Sequence, residues 1–329
     1  MFLFRNQIKE EIIMKKINSR ILTQFDGDHQ NKLLSEPLIL LPFFNPPKKN
    51  LCFSNAVVSS LLNIPVLRRN LLDGNMSDWA KENALLKELQ RLAKLPKFIN
   101  SSTSKFRYVL SRKCSKIGQN VPNFSDNRQH DTGEFLMSII KHLFEDSISY
   151  QSFDEKMFGG LWQTFLKCSC GEITEKEIVK MSEVLPLEIY GSNIQQCLNR
   201  FFTPEYIERT CPSCSSKFCE KSVNIVLEPS TMIIQLKRYE YDRDEDAICK
   251  KHNKIIFPIK LKLPKGSSYS LCSAISHIGS SPSERHYNVL MYNSCEDTFV
   301  MLDDTSIEFS DKIPEDIEKL VYIITYIKE

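Results

Sequence analysis

Cys52 is the first residue of the chain whose type and position together suggest covalent chemistry. The apolar residues after it, including Phe53 and Val57, recur at helical spacing until Pro65, which cannot continue a helix. A helix is therefore predicted to begin at Cys52, where the positive end of the helix dipole favours the nucleophilic thiolate. On position alone, the alternative is a buried cysteine that packs as a small apolar residue.

A base and an acid that could serve this thiol lie near the end of the chain. Two strand-like runs, HYNVLMY and TFVMLDD, flank the polar segment NSCED and should form a hairpin. With the turn centred on Ser294 and Cys295, His286 lies directly opposite Asp303, whose carboxylate could hold the imidazole in one tautomer. The alternatives are an ordinary strand-edge histidine, or a one-residue slip that brings Asp304 forward or turns the pair away.

Four further cysteines have a pattern typical of a metal site. They are Cys168 and Cys170 in KCSCG, and Cys211 and Cys214 in TCPSC. Four thiolates suit tetrahedral structural zinc, and the second pair has the common C-x-x-C spacing, whereas the first is the shorter C-x-C. The alternative is four unligated reduced thiols. The cysteines without ligand spacing are Cys114, Cys197, Cys219, Cys249, Cys272 and Cys295.

The elements that must position these groups follow an α+β order. A second helix is predicted in QHDTGEFLMSIIKHLFEDS, where Phe135, Ile139 and Leu143 lie on one continuous apolar face. After residue 160 the sequence turns to β-branched and alternating runs: TMIIQL from Thr231, IIFPIKLKL from Ile255 and KLVYIITYI near the C-terminus. Helices followed by mostly antiparallel strands indicate an α+β domain.

Composition narrows the function classes. The 329 residues include 43 Lys and Arg against 41 Asp and Glu, so bulk charge does not favour nucleic acid or an anionic membrane as a partner. No apolar run approaches the ~20 residues of a membrane span, and the eleven cysteines are an odd number without a secretory signal. The expectation is a soluble intracellular protein in which residues 1 to about 40 form an extension.

Several ordered motifs resemble those of the ubiquitin-specific proteases, which are ubiquitin carboxyl-terminal hydrolases. NLCFSNAVVSSLL resembles the family's Cys box, GNTCYLNSxLQxL, and QHDTGEFL resembles QQDAHEFL. SERHYNVLMY with TFVMLDD is similar to the GHYxAYV and WxxFDD pair, and IIQLKRY, IIFPIKLKL and VYIITYIK are similar to the LKRF, FPxxLDL and final-strand motifs. The resemblance covers about residues 43 to 328.

The resemblance implies a papain-like fold of thumb, fingers and palm within a catalytic domain spanning 41–329. The thumb is expected at about 43–155, the fingers at 156–228 and the palm at 229–329. The cysteine quartet would be the zinc site of the fingers, and catalysis would need no cofactor. The partners implied are ubiquitin and ubiquitinated proteins in the cytoplasm or nucleus, with no nucleic acid or membrane.

The resemblance also implies roles for single residues. Cys52 would attack the carbonyl of the last glycine of ubiquitin to give a thioester, His286 would move the proton, and Asp303 would orient His286. Asp131 matches the acid that meets the basic ubiquitin tail, although it could also serve only to stabilise a helix N-terminus. Tyr287 matches a residue that lines the tail cleft.

Departures from the family pattern leave a second hypothesis open. The candidate oxyanion donors are Asn45 and Asn50, but PFFNPPKKNLC places two extra residues and two prolines between Asn45 and Cys52, and Arg285 replaces the glycine before the histidine. Loss of an oxyanion donor can cost ~2.7 to 4 kcal/mol of barrier. The alternative is therefore a weakly active or inactive protein that binds ubiquitin or a related modifier. A zinc-ribbon interaction module is a third reading, which leaves Cys52, His286 and Asp303 unexplained.

Overall fold

The computed structural model describes residues 34, 36–73, 81, 83–116, 122–143, 157–180, 184–244, 246–264, 266–279 and 286–329. Most of the predicted extension, Arg285 and the end of the second predicted helix lie outside these residues. Among the described helices, none combines the length and apolar character needed to cross a membrane.

Five helices lie within the described part of the first half of the chain, and the predicted nucleophile opens the first of them. They are α1 (Cys52–Leu62), α2 (Pro65–Leu72), α3 (Ala84–Ala93), α4 (Ser104–Lys116) and α5 (Thr132–Leu143). The prediction that a helix begins at Cys52 is confirmed. It ends where Asn63 N–H bonds back to the helix carbonyls, and Pro65 then opens α2, since a proline at the first helical position loses no hydrogen bond. Every residue of α1 is buried.

The second predicted helix is α5, and its apolar face is buried as expected. Phe135, Ile139 and Leu143 are all at most 1% exposed. Asp131 precedes this helix, and its carboxylate accepts the N–H of Gly133 at 2.8 Å and of Glu134 at 3.1 Å. These are the bonds of an N-cap residue, so the polar start of the motif is explained in part by capping.

The described part of the second half of the chain is mostly β-structure with two short helices. The strands are β1 (Leu161–Lys167), β2 (Ile173–Lys180), β3 (Val184–Leu187), β4 (Glu205–Glu208), β5 (Phe218–Leu227), β6 (Thr231–Leu236), β7 (Tyr239–Asp242), β8 (Ala247–Lys250), β9 (Lys260–Lys262), β10 (Ser268–Ile278), β11 (His286–Asn293), β12 (Thr298–Asp303), β13 (Ser306–Ser310) and β14 (Val321–Lys328). The helices are α6 (Ile194–Phe202) and α7 (Glu315–Leu320).

The described part of this half contains three sheets, of which the smallest is the antiparallel pair of β7 and β8. The other two sheets divide the remaining strands. The larger has the order β13-β12-β11-β10-β14-β6-β3, with β9 paired to β10, and the smaller has the order β2-β1-β5-β4. The segment expected to form the fingers, 156–228, contains all four strands of the smaller sheet. It also contains β3, which pairs in parallel with β6 of the larger sheet. The first apolar core lies between α1, the other thumb helices and the larger sheet, and a second lies between that sheet and α6.

Two predicted strands match closely and one does not. The run from Thr231 is β6 and the C-terminal run is β14, although it starts only after α7. The run from Ile255 was expected to be one strand, but only Lys260–Lys262 is one. Pro258 interrupts it, because proline lacks the N–H that a ladder needs, and Ile256 N–H bonds instead to Ser192 O at 2.8 Å.

The predicted hairpin forms, but its register differs from the prediction. Val289 pairs with Leu302, whereas a turn centred on Ser294 and Cys295 would pair it with Val300. The turn takes four residues and ends at Asp297, whose φ of 52° lies in the left-handed region. Asp303 is therefore diagonal to His286 rather than directly opposite. The shift is of two residues, and because side chains alternate with a period of two, both still lie on one face.

Arg238 joins the large sheet to α7. We expect its replacement to lower the stability of the fold strongly. It is fully buried, and its guanidinium donates to Val321 O, Lys251 O, Asn253 O and Glu318 O. Arg238→Ala should lower the free energy of unfolding by about 3 kcal/mol, since the substitution orphans buried carbonyls and leaves a cavity. Urea denaturation would measure the loss.

The neighbouring Lys237 supplies the control for that substitution. It is half exposed and pairs with Glu188 at 2.8 Å, so Lys237→Ala should change stability by no more than about 0.5 kcal/mol. Equal losses for the two variants would contradict the role assigned to Arg238.

Candidate active site

Cys52, His286 and Asp303 meet at one point although they come from three elements. Cys52 is the first residue of α1, His286 opens β11 and Asp303 ends β12. His286 Nε2 lies 2.5 Å from Asp303 Oδ1. The pKa of His286 is raised to about 10, first by its hydrogen bond with Asp303 and next by a hydrogen bond with Cys52. The imidazole therefore links the acid to the thiol and is an imidazolium at neutral pH.

The arrangement can hold a thiolate beside a proton donor. A carboxylate fixes the ring and stabilises its positive charge, while the charged ring stabilises a thiolate and can later give its proton to a leaving group. Cys52 is 1% exposed, and its Sγ lies 3.7 Å from Gln129 Oε1. The candidate nucleophile is thus covered in this structure, and Gln129, which was given no role from the sequence, is one of its neighbours.

His277 is another histidine of the larger sheet, and its ring is occupied by partners other than Cys52. It is fully buried, and its ring contacts the Tyr239 hydroxyl at 2.9 Å and the Lys250 ammonium at 2.8 Å. The hydrogen bond to Cys52 and the ion pair with Asp303 belong to His286.

The two candidate oxyanion donors flank the nucleophile but face other partners. Asn50, with φ of 51°, donates from Nδ2 to Asn127 O at 2.7 Å and accepts from Gln129 at 2.9 Å. Asn45 accepts the Leu51 N–H at 2.8 Å and donates from Nδ2 to Asp304 at 2.8 Å. The longer Asn45 segment is thereby folded back against the loop that carries the acid. Leu51, the N-cap residue of α1, makes no side-chain capping bond.

Asp304 organises the site in a way that the sequence analysis missed. One carboxylate oxygen accepts from Asn55 of α1 at 2.7 Å and the other accepts from Asn45, while its carbonyl accepts the Phe43 N–H at 2.9 Å. Asp304 thus ties the acid-bearing loop to both the nucleophile helix and the segment before it. The only sequence signal was its place in the DD pair, of which Asp303 is the last residue of β12.

The two residues expected to meet the ubiquitin tail differ in accessibility. Asp131 is partly exposed, and its Oδ2 accepts from the Tyr322 hydroxyl at 3.0 Å. Tyr287 follows His286 and so faces the other side of β11, where it is 1% exposed and its ring centroid lies 4.9 Å from that of His277. In this structure the Tyr287 ring is therefore part of the buried core and is not available at the surface.

The cysteine quartet converges at the end of the smaller sheet. Cys168 Sγ lies 3.5 Å from Cys214 Sγ, Cys170 Sγ lies 3.8 Å from Cys211 Sγ, and all four sulfurs lie within 4.8 Å of one another. A tetrahedral zinc with bonds of ~2.3 Å separates its sulfurs by about 3.8 Å, so the four residues fit such an ion despite the short C-x-C spacing. The four thiols interact with one another: the pKa of Cys168 is lowered to about 6, first by the Cys170 backbone N–H, whereas the pKa values of Cys170 and Cys214 are raised. The fit to zinc rests on the convergence of the four sulfurs.

Comparison with known proteins gives one family. The family model for ubiquitin carboxyl-terminal hydrolase matches residues 48–326. Ubiquitin carboxyl-terminal hydrolase 4 of Arabidopsis thaliana is 25% identical over 199 residues, with 56% of this chain and 54% of the relative covered. Probable ubiquitin carboxyl-terminal hydrolase 8 of Schizosaccharomyces pombe is 24% identical over 292 residues, 84% of this chain and 62% of the relative. The chain thus spans little more than half the length of these relatives.

Solved structures of one assembly share the fold. The SAGA DUB module containing Ubp8, bound to monoubiquitin, matches with a TM-score of 0.72 at 20% identity, covering 98% of this chain and 76% of that chain. The same module bound to ubiquitin aldehyde matches with a TM-score of 0.70 at 21% identity, covering 95% and 75%.

Proposed function

The chain belongs to the ubiquitin carboxyl-terminal hydrolase family, and from this we propose that it is a thiol-dependent deubiquitinase. It would hydrolyse the peptide or isopeptide bond after the C-terminal glycine of ubiquitin. The observation that carries the proposal is the junction of Cys52 and Asp303 through the His286 ring, which is the base-and-orienter arrangement that activates a nucleophile.

The predicted α+β, papain-like fold of thumb, fingers and palm is confirmed by the match to Ubp8. The division of the chain remains our proposal: an extension at 1–40, the thumb at about 43–155, the fingers at 156–228 and the palm at 229–329. The helices α1 to α5 all precede residue 155 and support the boundary between thumb and fingers. The separate β2-β1-β5-β4 sheet lies within 156–228 and supports the boundary between fingers and palm.

In the proposed reaction, the Cys52 thiolate attacks the carbonyl carbon of the terminal glycine. The resulting tetrahedral oxyanion collapses to a thioester, and the C–N bond breaks as the His286 imidazolium gives its proton to the leaving lysine amine. Neutral His286 then takes a proton from water, whose oxygen attacks the thioester carbonyl. The C–S bond breaks, ubiquitin leaves with a free C-terminal carboxyl group, and the Cys52 thiolate beside the His286 imidazolium is restored. Asp303 holds the His286 ring in position throughout and stabilises its charged form.

For the oxyanion we propose the first-turn backbone N–H groups of α1, joined by an asparagine amide. Those N–H groups have no side-chain cap at Leu51, and the helix dipole favours negative charge there. The Nδ2 of Asn45 and of Asn50 each makes one hydrogen bond among the described residues, and each carries a second hydrogen that could point to the oxyanion.

A ubiquitin joined by an isopeptide bond to a fluorescent lysine peptide would test the proposal directly. Release of the peptide by the purified protein, followed by fluorescence polarisation, is the expected result. The covered Cys52 favours the second candidate, a ubiquitin binder of weak activity. A weakly active binder should release peptide slowly, and an inactive binder should bind ubiquitin with no release of peptide. Binding without release, or absence of both, would overturn the proposed deubiquitinase activity.

We also propose ubiquitin and ubiquitinated proteins as the partners, with no role for nucleic acid or membrane. The family membership supports ubiquitin, since the similar Ubp8 module has been seen bound to it. The site of action would be the cytoplasm or nucleus. All eleven cysteines lie among the described residues and none of them forms a disulfide, as expected in a reducing compartment.

Structural zinc at the quartet is a further proposal, and it predicts one zinc ion per chain. Cys211→Ala should lose the ion and lower the thermal midpoint, because metal binding supplies folding free energy to the sheet that carries the ligands. Elemental analysis and thermal scans with and without a chelator would measure both effects.

Cys219→Ala is the matched control for the zinc site. Cys219 is buried beside Cys168 and Cys211, but its sulfur bonds Arg209 O at 3.4 Å and it is not one of the four convergent groups. This variant should keep its zinc. A wild-type protein that is free of metal and indifferent to the chelator would contradict the zinc proposal.

A further inference from the structure

Asp131 stands at the end of a chain of hydrogen bonds that crosses two strands of the large sheet. Its Oδ1 accepts from the N–H groups of Gly133 and Glu134, and its Oδ2 accepts from the Tyr322 hydroxyl at 3.0 Å. The Tyr322 oxygen in turn accepts from Gln235 Nε2 at 2.6 Å. Tyr322 lies on β14 and Gln235 on the neighbouring β6. Both carboxylate oxygens are therefore held, from different sides.

The proton directions along this chain are fixed by chemistry. An amide nitrogen only donates, so the Tyr322 oxygen must accept from Gln235, and its single proton is left for Asp131. Burial raises the pKa of Tyr322, so the phenol keeps that proton over the physiological range. Gln235 thus makes Tyr322 a committed donor to Asp131.

Gly133 provides the room for the Gln235 amide. A Cβ at this position would lie 2.5 Å from Gln235 Nε2 and 2.9 Å from its Cδ. Gly133 is in the first turn of α5 and has no positive φ, so the helix backbone does not require glycine there. Glycine lowers helix propensity relative to alanine, and the space it leaves for Gln235 accounts for its presence.

We propose that Tyr322 and Gln235 are positioning residues that hold the Asp131 carboxylate in the orientation that receives a cationic side chain of the ubiquitin tail, and that Gly133 is small to permit this. The inference rests on the proposed function. A carboxylate held only by its capping bonds through Oδ1 can still turn its second oxygen, and the phenol removes that freedom before ubiquitin arrives.

Tyr322→Phe tests the phenol with the smallest possible change. We expect the KM for the fluorescent ubiquitin isopeptide to rise about fivefold while kcat stays within twofold, since the reacting groups are untouched. In an Asp131→Asn background, the same change should have no further effect on KM, because Tyr322 acts through Asp131. Tyr326→Phe is the matched control: it lies on the same strand, and its hydroxyl bonds Pro258 O at 2.8 Å. Its KM should be unchanged.

Gly133→Ala gives a readout that separates positioning from stability. Alanine raises helix propensity, but its Cβ pushes the Gln235 amide away from Tyr322 and comes within 3.0 Å of Asp131 Oδ1. KM should therefore rise at least as much as in Tyr322→Phe, while the thermal midpoint should stay close to that of the wild type. A variant that merely damaged the fold would lower both stability and kcat. The KM effects of Gly133→Ala and Tyr322→Phe should also fail to add.

The outcomes separate failure of this inference from failure of the proposed function. A wild type that cleaves the isopeptide with the same KM as Tyr322→Phe and Gly133→Ala would overturn the positioning role alone. Additive KM effects of Tyr322→Phe and Asp131→Asn would also overturn it. A wild type that neither cleaves nor binds ubiquitin would overturn the proposed function, and with it the recognition role built on Asp131.

Discussion

Replacing Cys52 by alanine is expected to lower isopeptide cleavage by about 10⁴-fold or more, because the proposed thioester can form at no other atom. The same variant should form no adduct with a ubiquitin probe that carries an electrophile at its C-terminus, whereas the wild type should form one adduct per chain. Intact-protein mass spectrometry after reaction with the probe would measure this. Ubiquitin binding should persist in the variant, since Cys52 is buried at the start of α1 and alanine keeps the helix.

Cys295→Ala is the control for nonspecific thiol reaction. Cys295 is exposed in the turn between β11 and β12, so it is open to any electrophile but lies at the far end of the hairpin from His286. This variant should react with the ubiquitin probe as the wild type does. An adduct that survives Cys52→Ala and disappears in Cys295→Ala would show that the assignment of the nucleophile is wrong.

The elements that carry the proposed site could be predicted because their signals are local. The apolar spacing after Cys52 and the position of Pro65 define α1, and the alternating runs define β6, β11, β12 and β14. The pairing of His286 with Asp303 also came from local pattern. It was insensitive to the two-residue error in register, because such an error does not change the face on which a strand residue lies.

The contacts that complete the site could not be predicted, because they join residues far apart in sequence. Asp304 binds Asn45 and Asn55, and Tyr322 binds Asp131, through packing of the thumb against the large sheet. Nothing in the local sequence around Asn45 shows that the two extra residues fold its side chain onto Asp304. The role of Gly133 is likewise visible only once Gln235 of β6 lies beside it.

The convergence of the cysteine quartet could be predicted only in part from the sequence. The residue types and the C-x-x-C of Cys211 and Cys214 suggested a metal site, but the short C-x-C of Cys168 and Cys170 weakened the pattern. The structure explains how Cys168 and Cys170 reach the second pair of cysteines. Gly171, with φ of 94°, closes a tight turn after Cys170. In this turn Cys168 O accepts the Gly171 N–H at 2.9 Å, and the Cys168 N–H donates to Glu172 O at 2.8 Å. A turn of this kind aims both sulfurs at the second pair.

Asp303→Asn is expected to lower kcat/KM for the isopeptide substrate by about 10²- to 10⁴-fold at pH 8, and to change how the rate depends on pH. The hydrogen bond with Asp303 is the largest cause of the raised His286 pKa of about 10, against the ordinary 6.5. In the wild type the His286 ring therefore stays protonated through the neutral range, and it loses its proton only as the pH rises through about 10. A histidine without this shift would lose its proton near pH 6.5. Without the carboxylate, the alkaline loss of kcat/KM should move to lower pH, because the proton donor for the leaving amine is lost earlier.

The control for this change is Asp297→Asn, which removes one carboxylate from the same hairpin. Asp297 accepts from Tyr292 at 2.7 Å and sits in the left-handed region that asparagine also tolerates, so the turn should be kept. Its kcat/KM and pH profile from pH 6 to about 10.5, a range set by the His286 ionisation, should match those of the wild type. If Asp303→Asn and Asp297→Asn had the same profile, the carboxylate of Asp303 would contribute only bulk charge, and another group would have to orient His286.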